Sequence, residues 1–451
     1  MATEEKRSKT LDHLPQEIIE EILYKLPVKS LFRFKCVSKR WRFLISSKKF
    51  AQHHLKKSRT NLSRQKLIIL NSDVINRSFR SCSLQTLIEN SNVASFDHHR
   101  MDLRTADRIP MRSSSSITSF SDERDEHYNL RRLYNPTTHY PMMATTMMTS
   151  ARRTRRRFSN YPRCDFLLEV LGSCNGLLLV SVDVRNLILW NPTTRQAKNI
   201  SPPENRSRYF YSDDFIDGGS FVYGLGYDES TEDYKVVCFF VEYEKPHNTT
   251  TTMIYSRRAN SWKRVESFEK GFFRLDICGT FVNGKLHWMT EEDKNKRGRW
   301  DIVSLDLAEE KYEMVGPPQS RTHYRPRLHD LGGCLSLTSF DRNLDMDVWV
   351  MTKKCGEAEY SWTRVWKLCC DMMLYGHRGN TVCPLWLTRI ENGDIVVTFA
   401  VSYGLDVVVY NGSNVLHTSR VRTVDDPSCL DVEFEAKIFV ESLVSPFGDQ
   451  Q

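Results

Sequence analysis

The sequence contains no uninterrupted apolar run approaching the roughly 18 to 20 residues that a bilayer-spanning helix needs. Its first ten residues, MATEEKRSKT, are polar and of mixed charge, and no apolar stretch of the kind an export signal requires follows them. These absences lead to the expectation of a soluble protein of the cytoplasm, the nucleus or both. Twelve cysteines run from Cys36 to Cys429 without one CxxC pair, and the only close pairing is the adjacent Cys369 and Cys370. Zinc-ligand spacing is therefore missing. Without an export signal, such cysteines are expected to be reduced and mostly buried, and no disulfide is assigned.

Catalytic signatures are absent as well. There is no HExxH, no GxSxG, no phosphate-cradling GxxxxGKS or GxxxxGKT and no GxGxxG; Gly224 and Gly226 supply only a GxG. Asp228, Glu229, Glu232 and Asp233 cluster in YDESTEDYK, and paired carboxylates serve acid-base chemistry or bind hard cations. Asp and Ser at such spacing also favour a turn, so the cluster reads as a solvated hairpin tip. No catalytic residue, metal site or cofactor is assigned.

What is present is the composition of a folded protein: 451 residues, 40% hydrophobic and 27% charged, enough chain for two or three units or one large repeat fold. The net charge of +8 divides unevenly. Residues 1 to 60 hold 15 Lys/Arg against 6 Asp/Glu, whereas residues 166 to 451 hold 32 against 40. Gripping nucleic acid requires a surplus of Lys/Arg to displace condensed counterions, so the acidic balance of the larger region argues against that partner.

Residues 14 to 26, LPQEIIEEILYKL, set Pro15 at a helix start and Ile18, Ile19, Ile22, Leu23 and Leu26 at spacings of three and four. Pro27 ends that helix. A second apolar run, Leu31, Phe32, Phe34 and Val37, reaches Ser38, which is placed to cap a third helix carrying Trp41, Phe43, Leu44 and Ile45. Three helices in about forty residues make too small a core to bury all these side chains, so they need a partner surface or the flank of the downstream domain.

The order LP, EI, IL, LPVKSL, F, CVSKRW, LI across residues 14 to 45 resembles the F-box, in its plant form. The matching positions are Leu14, Pro15, Ile18, Ile22, Leu26, Pro27, Val28, Leu31, Phe34, Val37 and Trp41. The resemblance implies docking on a small acidic Skp-type adaptor protein, and through it a cullin and a RING subunit. Leu14, Pro15, Ile18, Leu26, Pro27, Val28, Leu31, Val37 and Trp41 are expected to touch the adaptor, with Trp41 as the main anchor, while Ile22 and Phe34 are assigned to the motif's own core. Basic charge around them suits an acidic partner by speeding encounter.

Residues 65 to 91 contain two short apolar runs, QKLIILNS and SFRSCSLQTLI, that read as a strand pair. From 92 to 163 the chain is rich in Ser, Thr, Arg and Met and lacks either apolar period, so it reads as a disordered insertion. Its ARRTRRR tract at 151 to 157 fits a nuclear-import or phosphate-binding cluster and equally a solvated loop.

Beyond it a degenerate repeat begins at GSCNGLLLV (172), YGLGYDESTEDYKVVCFF (223), GTFVNGKLHWMT (279), LGGCLSLTSF (331) and RIENGDIVVTFA (389). Between these lie strand-turn-strand segments such as LILWNPTTRQ and LDVVVYNGSNVLHTSRV. Units of four short strands near fifty residues are the mark of β-propeller blades. Five blades are countable, and the pair at 65 to 91, completed by a last strand around 436 to 444, makes six. Eight tryptophans at or beside strands fit blade-to-blade packing. A β-sandwich is the alternative, though it predicts no such period.

The same region resembles the plant F-box-associated domain through GSCNGLLLV with LILWNPTTR, YGLGYDESTEDYKVV, VNGKLHWM and DIVSLDLAEEKY. The expected organisation is an α+β multidomain chain: an F-box at 8–54, linker and first strand pair at 55–91, the insertion at 92–163 and an all-β propeller-like domain at 164–446. The resemblance implies a non-catalytic, substrate-recruiting subunit of an SCF-type ubiquitin ligase whose target is unspecified. The alternatives are a propeller enzyme or small-ligand binder, or an F-box protein acting outside a ligase.

Overall fold

The computed structural model describes residues 15–71, 79–89, 97–99, 169–181, 187–201, 203, 220–242, 249–268, 272–273, 278–291, 300–319, 324–341, 345–353, 360–369, 383–390, 392–401, 404–422 and 434–448. Four helices come first: α1 (Gln16–Tyr24), α2 (Val28–Phe34), α3 (Lys39–Ser46) and α4 (Lys48–Arg59). Six antiparallel sheets follow, arranged as the blades of a propeller.

Blade I takes β1 (Gln65–Asn71), β2 (Phe79–Ser83) and, after the short helix α5 (Leu84–Glu89), β3 (Asp97–His99). Blade II is β4 (Glu169–Cys174), β5 (Leu177–Ser181), β6 (Leu187–Asn191) and β7 (Gln196–Ile200). Blade III is β8 (Ser220–Asp228), β9 (Asp233–Glu242), β10 (Thr249–Ser256) and β11 (Ser261–Val265). Blade IV has a divided inner strand, β12 (Phe272–Phe273) and β13 (Thr280–Val282), then β14 (Lys285–Glu291), β15 (Trp300–Asp306) and β16 (Tyr312–Val315). Blade V is β17 (Tyr324–Leu331), β18 (Cys334–Phe340), β19 (Met346–Lys353) and β20 (Tyr360–Leu368). Blade VI is β21 (Cys383–Arg389), β22 (Ile395–Val401), β23 (Gly404–Asn411) and β24 (Asn414–Arg422). The last strand, β25 (Phe434–Val440), returns to blade I and pairs with β1 from Gln65↔Val440 to Asn71↔Phe434.

Innermost strands β25, β4, β8, β13, β17 and β21 touch in that order, and β21 meets β25 again. This closed ring rules out the sandwich alternative. Within a blade, the middle strands are covered on both faces by neighbouring blades. Accordingly β5 and β6 are buried along their whole length, whereas the outer strands β7 and β11 carry exposed residues.

Each repeat start seen in the sequence is the hairpin joining the first and second strands of a blade. Three of these are two-residue turns: Asn175-Gly176, Asn283-Gly284 and Gly332-Gly333, all at positive φ, as the twist of a type I′ hairpin demands. A second design recurs in longer turns. Asn191, Asp228 and Asp306 each accept two following backbone N–H groups on Oδ1, and the turns end with Arg195, Glu232 and Glu310 at φ 61°, 52° and 57°.

Two expectations need amendment. The LQTLI part of the presumed second strand is helix α5, because Ser83 Oγ accepts the N–H of Thr86 and Leu84 and Leu87 lie one turn apart against the core. The span from residue 92, read as lacking regular structure, holds β3, which pairs with β2. The remainder of that span, including the Arg-rich tract at 151 to 157, lies outside the described residues.

Trp190, Trp288 and Trp300 are buried and the other described propeller tryptophans half-buried. Trp288, on β14, meets Phe239 edge-on at 4.8 Å and donates to the Tyr223 carbonyl at 3.2 Å. It lies so close over the backbone that a Cβ at Gly224 would sit 2.7 Å from its ring and one at Gly279 2.5 Å. In the GxG of the sequence, Gly224 thus admits the indole, and Gly226 makes room for Leu307 and Phe281. Trp288→Ala should lower the unfolding free energy by about 3 to 5 kcal/mol, the range for emptying a large aromatic site. Urea midpoints of the two proteins check this.

Candidate functional site

Helices α1 to α4 build one small core from Leu23, Tyr24, Leu31, Ile45 and Phe50, with Leu26, Phe34 and Trp41 packed against it. Ser38 Oγ accepts the Trp41 N–H at 3.1 Å and Ser47 Oγ the Phe50 N–H at 3.2 Å, so α3 and α4 both start on serine caps. The end of α1 is satisfied from α4 and beyond. His54 Nε2 donates to the Leu26 carbonyl at 2.9 Å, and buried Arg64 donates to the Tyr24 carbonyl and to Ser58 Oγ.

This core leaves a set of apolar side chains outside. Ile18 is 47% exposed, Ile22 49%, Phe32 40%, Val37 62% and Phe43 81%. A unit this small that still presents five large apolar residues to water has the anatomy of an interface awaiting a partner.

The helical unit meets the propeller through α4. Lys48 pairs with Glu232 at 2.6 Å, Gln52 reaches the same carboxylate at 3.5 Å, and Arg59 donates to Asn175 Oδ1. Both contacts fall on inner hairpin turns of blades II and III. Between the last turn of α4 and these hairpins lies a cavity of about 1530 Å³, with Arg59, Asn175, Asn283, Asp330 and Lys437 among its walls. Some of its polar groups are engaged within the wall: Asn283 donates to the Gly333 carbonyl, and Asp330 accepts the Gly333 N–H.

The carboxylate cluster of YDESTEDYK is not a solvated tip. Asp228 and Asp233 are buried at 1% and 3% exposure. Lys235 contacts Asp228 at 2.9 Å and Glu310 of blade IV at 3.2 Å, and it donates to the Leu307 carbonyl, which ties two blades together. Burial would raise the Asp228 pKa, but hydrogen bonds from Lys235, Ser230 and Thr231 outweigh it and hold the carboxyl well below the usual range. Asp233 accepts from Ser256 Oγ and the Arg258 N–H. Only Glu229 and Glu232 face solvent among the four. Among the described residues no group of three or more His, Cys, Asp or Glu is arranged to hold a metal ion, and no helix is long and apolar enough to cross a membrane. Cys82, Cys174 and Cys238 are buried free thiols, and Cys36 and Cys369 are exposed ones.

Comparison with known proteins agrees with this architecture. The model of the F-box domain matches residues 11–53, and that of the F-box associated beta propeller domain matches residues 138–446. The chain belongs to the F-box-associated β-propeller family. An F-box/kelch-repeat protein of Arabidopsis thaliana is 29% identical over 441 residues, covering 96% of both chains. The F-box protein CPR1 of the same plant is 27% identical over 78% of this chain and 72% of its own. A six-bladed fungal fucose lectin is 8% identical, with 59% of this chain and 81% of that one covered and a TM-score of 0.35.

The F-box positions expected to touch an adaptor divide when placed in the structure. Pro15, Ile18, Pro27 and Val37 are exposed, and Leu26 and Trp41 are half-buried; Trp41 stands edge-on to Phe34 at 5.5 Å. Val28 and Leu31 are wholly buried, so they serve the core and offer no side-chain surface. Ile22, assigned to the core, points outward instead, while Phe34 does pack inward. Leu14 lies outside the described residues. Phe32 and Phe43 were not among the expected contacts. The three-helix unit also gains α4, whose KKFAQHHLKKSR shows too few apolar residues for its period to stand out.

Three buried histidines fix a pH response. His54 and His287 are lowered to about 4 and His329 to about 3, in each case chiefly by burial. His287 lies 2.6 Å from Ser304 Oγ and His329 2.9 Å from Thr338 Oγ1, inside blades IV and V. Their folded pKa values lie below the unfolded value near 6.5, so below that pH the unfolded chain binds more protons. The contribution is complete above about pH 6.5 and is lost as pH falls toward the folded values. Acidification from pH 7 to 5 should cost up to about 2 kcal/mol per histidine, and His287→Gln should flatten the slope in denaturant titrations at pH 7, 6 and 5.

Proposed function

We propose that the chain recruits a target protein to an SCF-type cullin-RING ubiquitin ligase, binding a Skp-type adaptor through the F-box and the target through the propeller. F-box proteins are in general non-catalytic adaptors, and nothing in the chemistry above calls for a reacting side chain here: holding acceptor lysines near a ubiquitin-charged enzyme suffices. Such ligases work in the cytoplasm and nucleus, which fits a chain without an apolar membrane-spanning helix among its described residues.

The observation that carries the adaptor half is the exposed set Ile18, Ile22, Phe32, Val37 and Phe43, on a unit whose other described large apolar residues are buried or half-buried. Basic charge surrounds it: residues 1 to 60 hold 15 Lys/Arg against 6 Asp/Glu, complementary to an acidic adaptor.

For the target, the topology favours one face. The turns between the first and second strands of the blades, and those between the third and fourth, lie on the side that meets the F-box. The described last strand of one blade ends, and the first strand of the next begins, on the other side. Long surface connections on a rigid scaffold are where recognition residues concentrate.

Co-purification with a purified Skp-type adaptor tests the reading. Ile22→Asp and Phe43→Asp should each weaken binding by about thirtyfold or more, the loss of about 2 kcal/mol expected of an interface anchor, while the urea midpoint of the propeller is unchanged. Wild-type protein that fails to bind at low salt, or variants that bind as well as wild type, would reject the F-box as the adaptor site and move the small-ligand reading forward.

A further inference from the structure

Both ends of the propeller's closing strand pair emerge at one place. Gln65, the start of β1, is paired with Val440, the end of β25, so blade I lacks an inner hairpin turn. Through this gap the F-box enters and the C-terminal segment leaves. The segment does not trail away. The Glu441 N–H donates to the Arg64 carbonyl at 2.8 Å, and its carboxylate pairs with Lys66 at 3.4 Å, both partly shielded.

From there successive residues take different partners. Ser442 is wholly buried, and the equally buried Asn191 of blade II donates to the Ser442 carbonyl at 3.1 Å, Ser442 Oγ at 3.3 Å and the Val444 carbonyl at 2.7 Å. Leu443 packs on the F-box core, and Val444 on the core between blades II and III. Arg257 of blade III, 5% exposed, donates to the Ser445 carbonyl at 2.8 Å. Opposite, Gly176 has φ +84°, and a Cβ there would collide with Ser442 Oγ and the Val440 carbonyl.

We propose that Glu441–Ser445 is a latch that fixes the F-box to the propeller, so that the two halves move as one body. Asn191, Arg257 and Gly176 are its propeller-side receptors, and Leu443 is its F-box-side anchor. Two residues of the sequence signatures GSCNG and LWNPTTR thereby acquire a role: Gly176 gives the segment room, and Asn191 hydrogen-bonds it. The direct contacts of α4 cannot supply this alone. The pair Lys48–Glu232 is about half exposed on both sides and is screened by salt, whereas the latch is buried.

In a ligase subunit, a rigid joint sets a single distance between adaptor and target, but the latch stands on contacts within this chain and is measured without either partner. Dyes attached through genetically encoded azide side chains at Lys29 on the F-box and Val415 on blade VI report the distance between the halves. Single-molecule energy transfer should give one narrow population in wild type. A chain ending at Val440, and a full-length Asn191→Ala, Arg257→Ala variant, should both give a broad or multiple distribution. Hydrogen exchange of α1 to α3 in the same proteins should keep at least a tenth of wild-type protection. An unchanged narrow distribution in both variants would overturn the proposal. So would loss of exchange protection throughout α1 to α3, since the segment would then be part of the F-box core and not a joint.

Discussion

The pairing of β25 with β1 is the constraint on which the rest of the structure rests. It joins residues some 370 positions apart, and by the logarithmic scaling of loop closure such a span costs about 5 kcal/mol in chain entropy, beyond a constant. Burial of Leu67, Ile69 and Phe439 at this seam, worth about 1.5 to 3 kcal/mol for each side chain, is of the size needed to offset it. Once the seam is fixed, the ring of innermost strands is closed, and β1 lies between β25 and β2 where it would otherwise form the inner edge of its sheet. The seam also decides where everything else lies. Because β1 is the second strand of its blade and β25 the first, the chain enters and leaves on the hairpin side. The F-box is thereby held to that face, and the described strand ends that lead from one blade to the next lie on the other.

Within the F-box, the problem is one of surplus. Helix α1 carries Ile18, Ile19, Ile22 and Leu23, which at 3.6 residues per turn cover more than one stripe. A core of this size accepts Leu23 and Tyr24 on one side and leaves Ile18 and Ile22 on the other. The spacing reveals that a helix forms but not which stripe faces inward, since both are equally apolar. That is why Ile22 reads as core although the structure has it exposed; on α2, Val28 and Leu31, expected as contacts, are buried. Phe43 shows the same limit in α3. It stands among Trp41, Leu44 and Ile45, yet two residues after Trp41 and two before Ile45 it falls off their shared face, a signal the helical period does contain.

The propeller was more legible because its evidence repeats. Asn-Gly and Gly-Gly at 175, 283 and 332 are hairpin signals that need no tertiary context, and five similar inner hairpins fix the blade spacing even where individual strands are degenerate. Closure of blade I by the final strand follows from counting unpaired segments. What could not be read are pairings between residues distant in sequence. The acidity of Asp228 and Asp233 suggests water, and only the fold reveals that Lys235, itself paired with Glu310, meets Asp228 and that Arg257 meets Asp233. Helix α5 was hidden for a different reason: six residues are too few for a period to show, and its start depends on a single serine cap.

Charge and burial do different work in this molecule. The basic F-box and the acidic propeller attract one another over distance, but the ion pair that joins them, Lys48–Glu232, remains open to water and therefore sensitive to salt. A joint that relied on it would let the two halves shift with ionic conditions. The contacts that do not depend on salt are those made by polar groups withdrawn from water, where leaving a donor unpaired is costly. Asn191 illustrates the point: its carbonyl oxygen orders the turn at Thr193 and Thr194 while its amide group holds Ser442 and Val444. One side chain thus couples the local shape of a blade to the segment that reaches the F-box core. Geometry between the two halves follows from buried hydrogen bonds, and the exposed charges are left free to act on partners outside the chain.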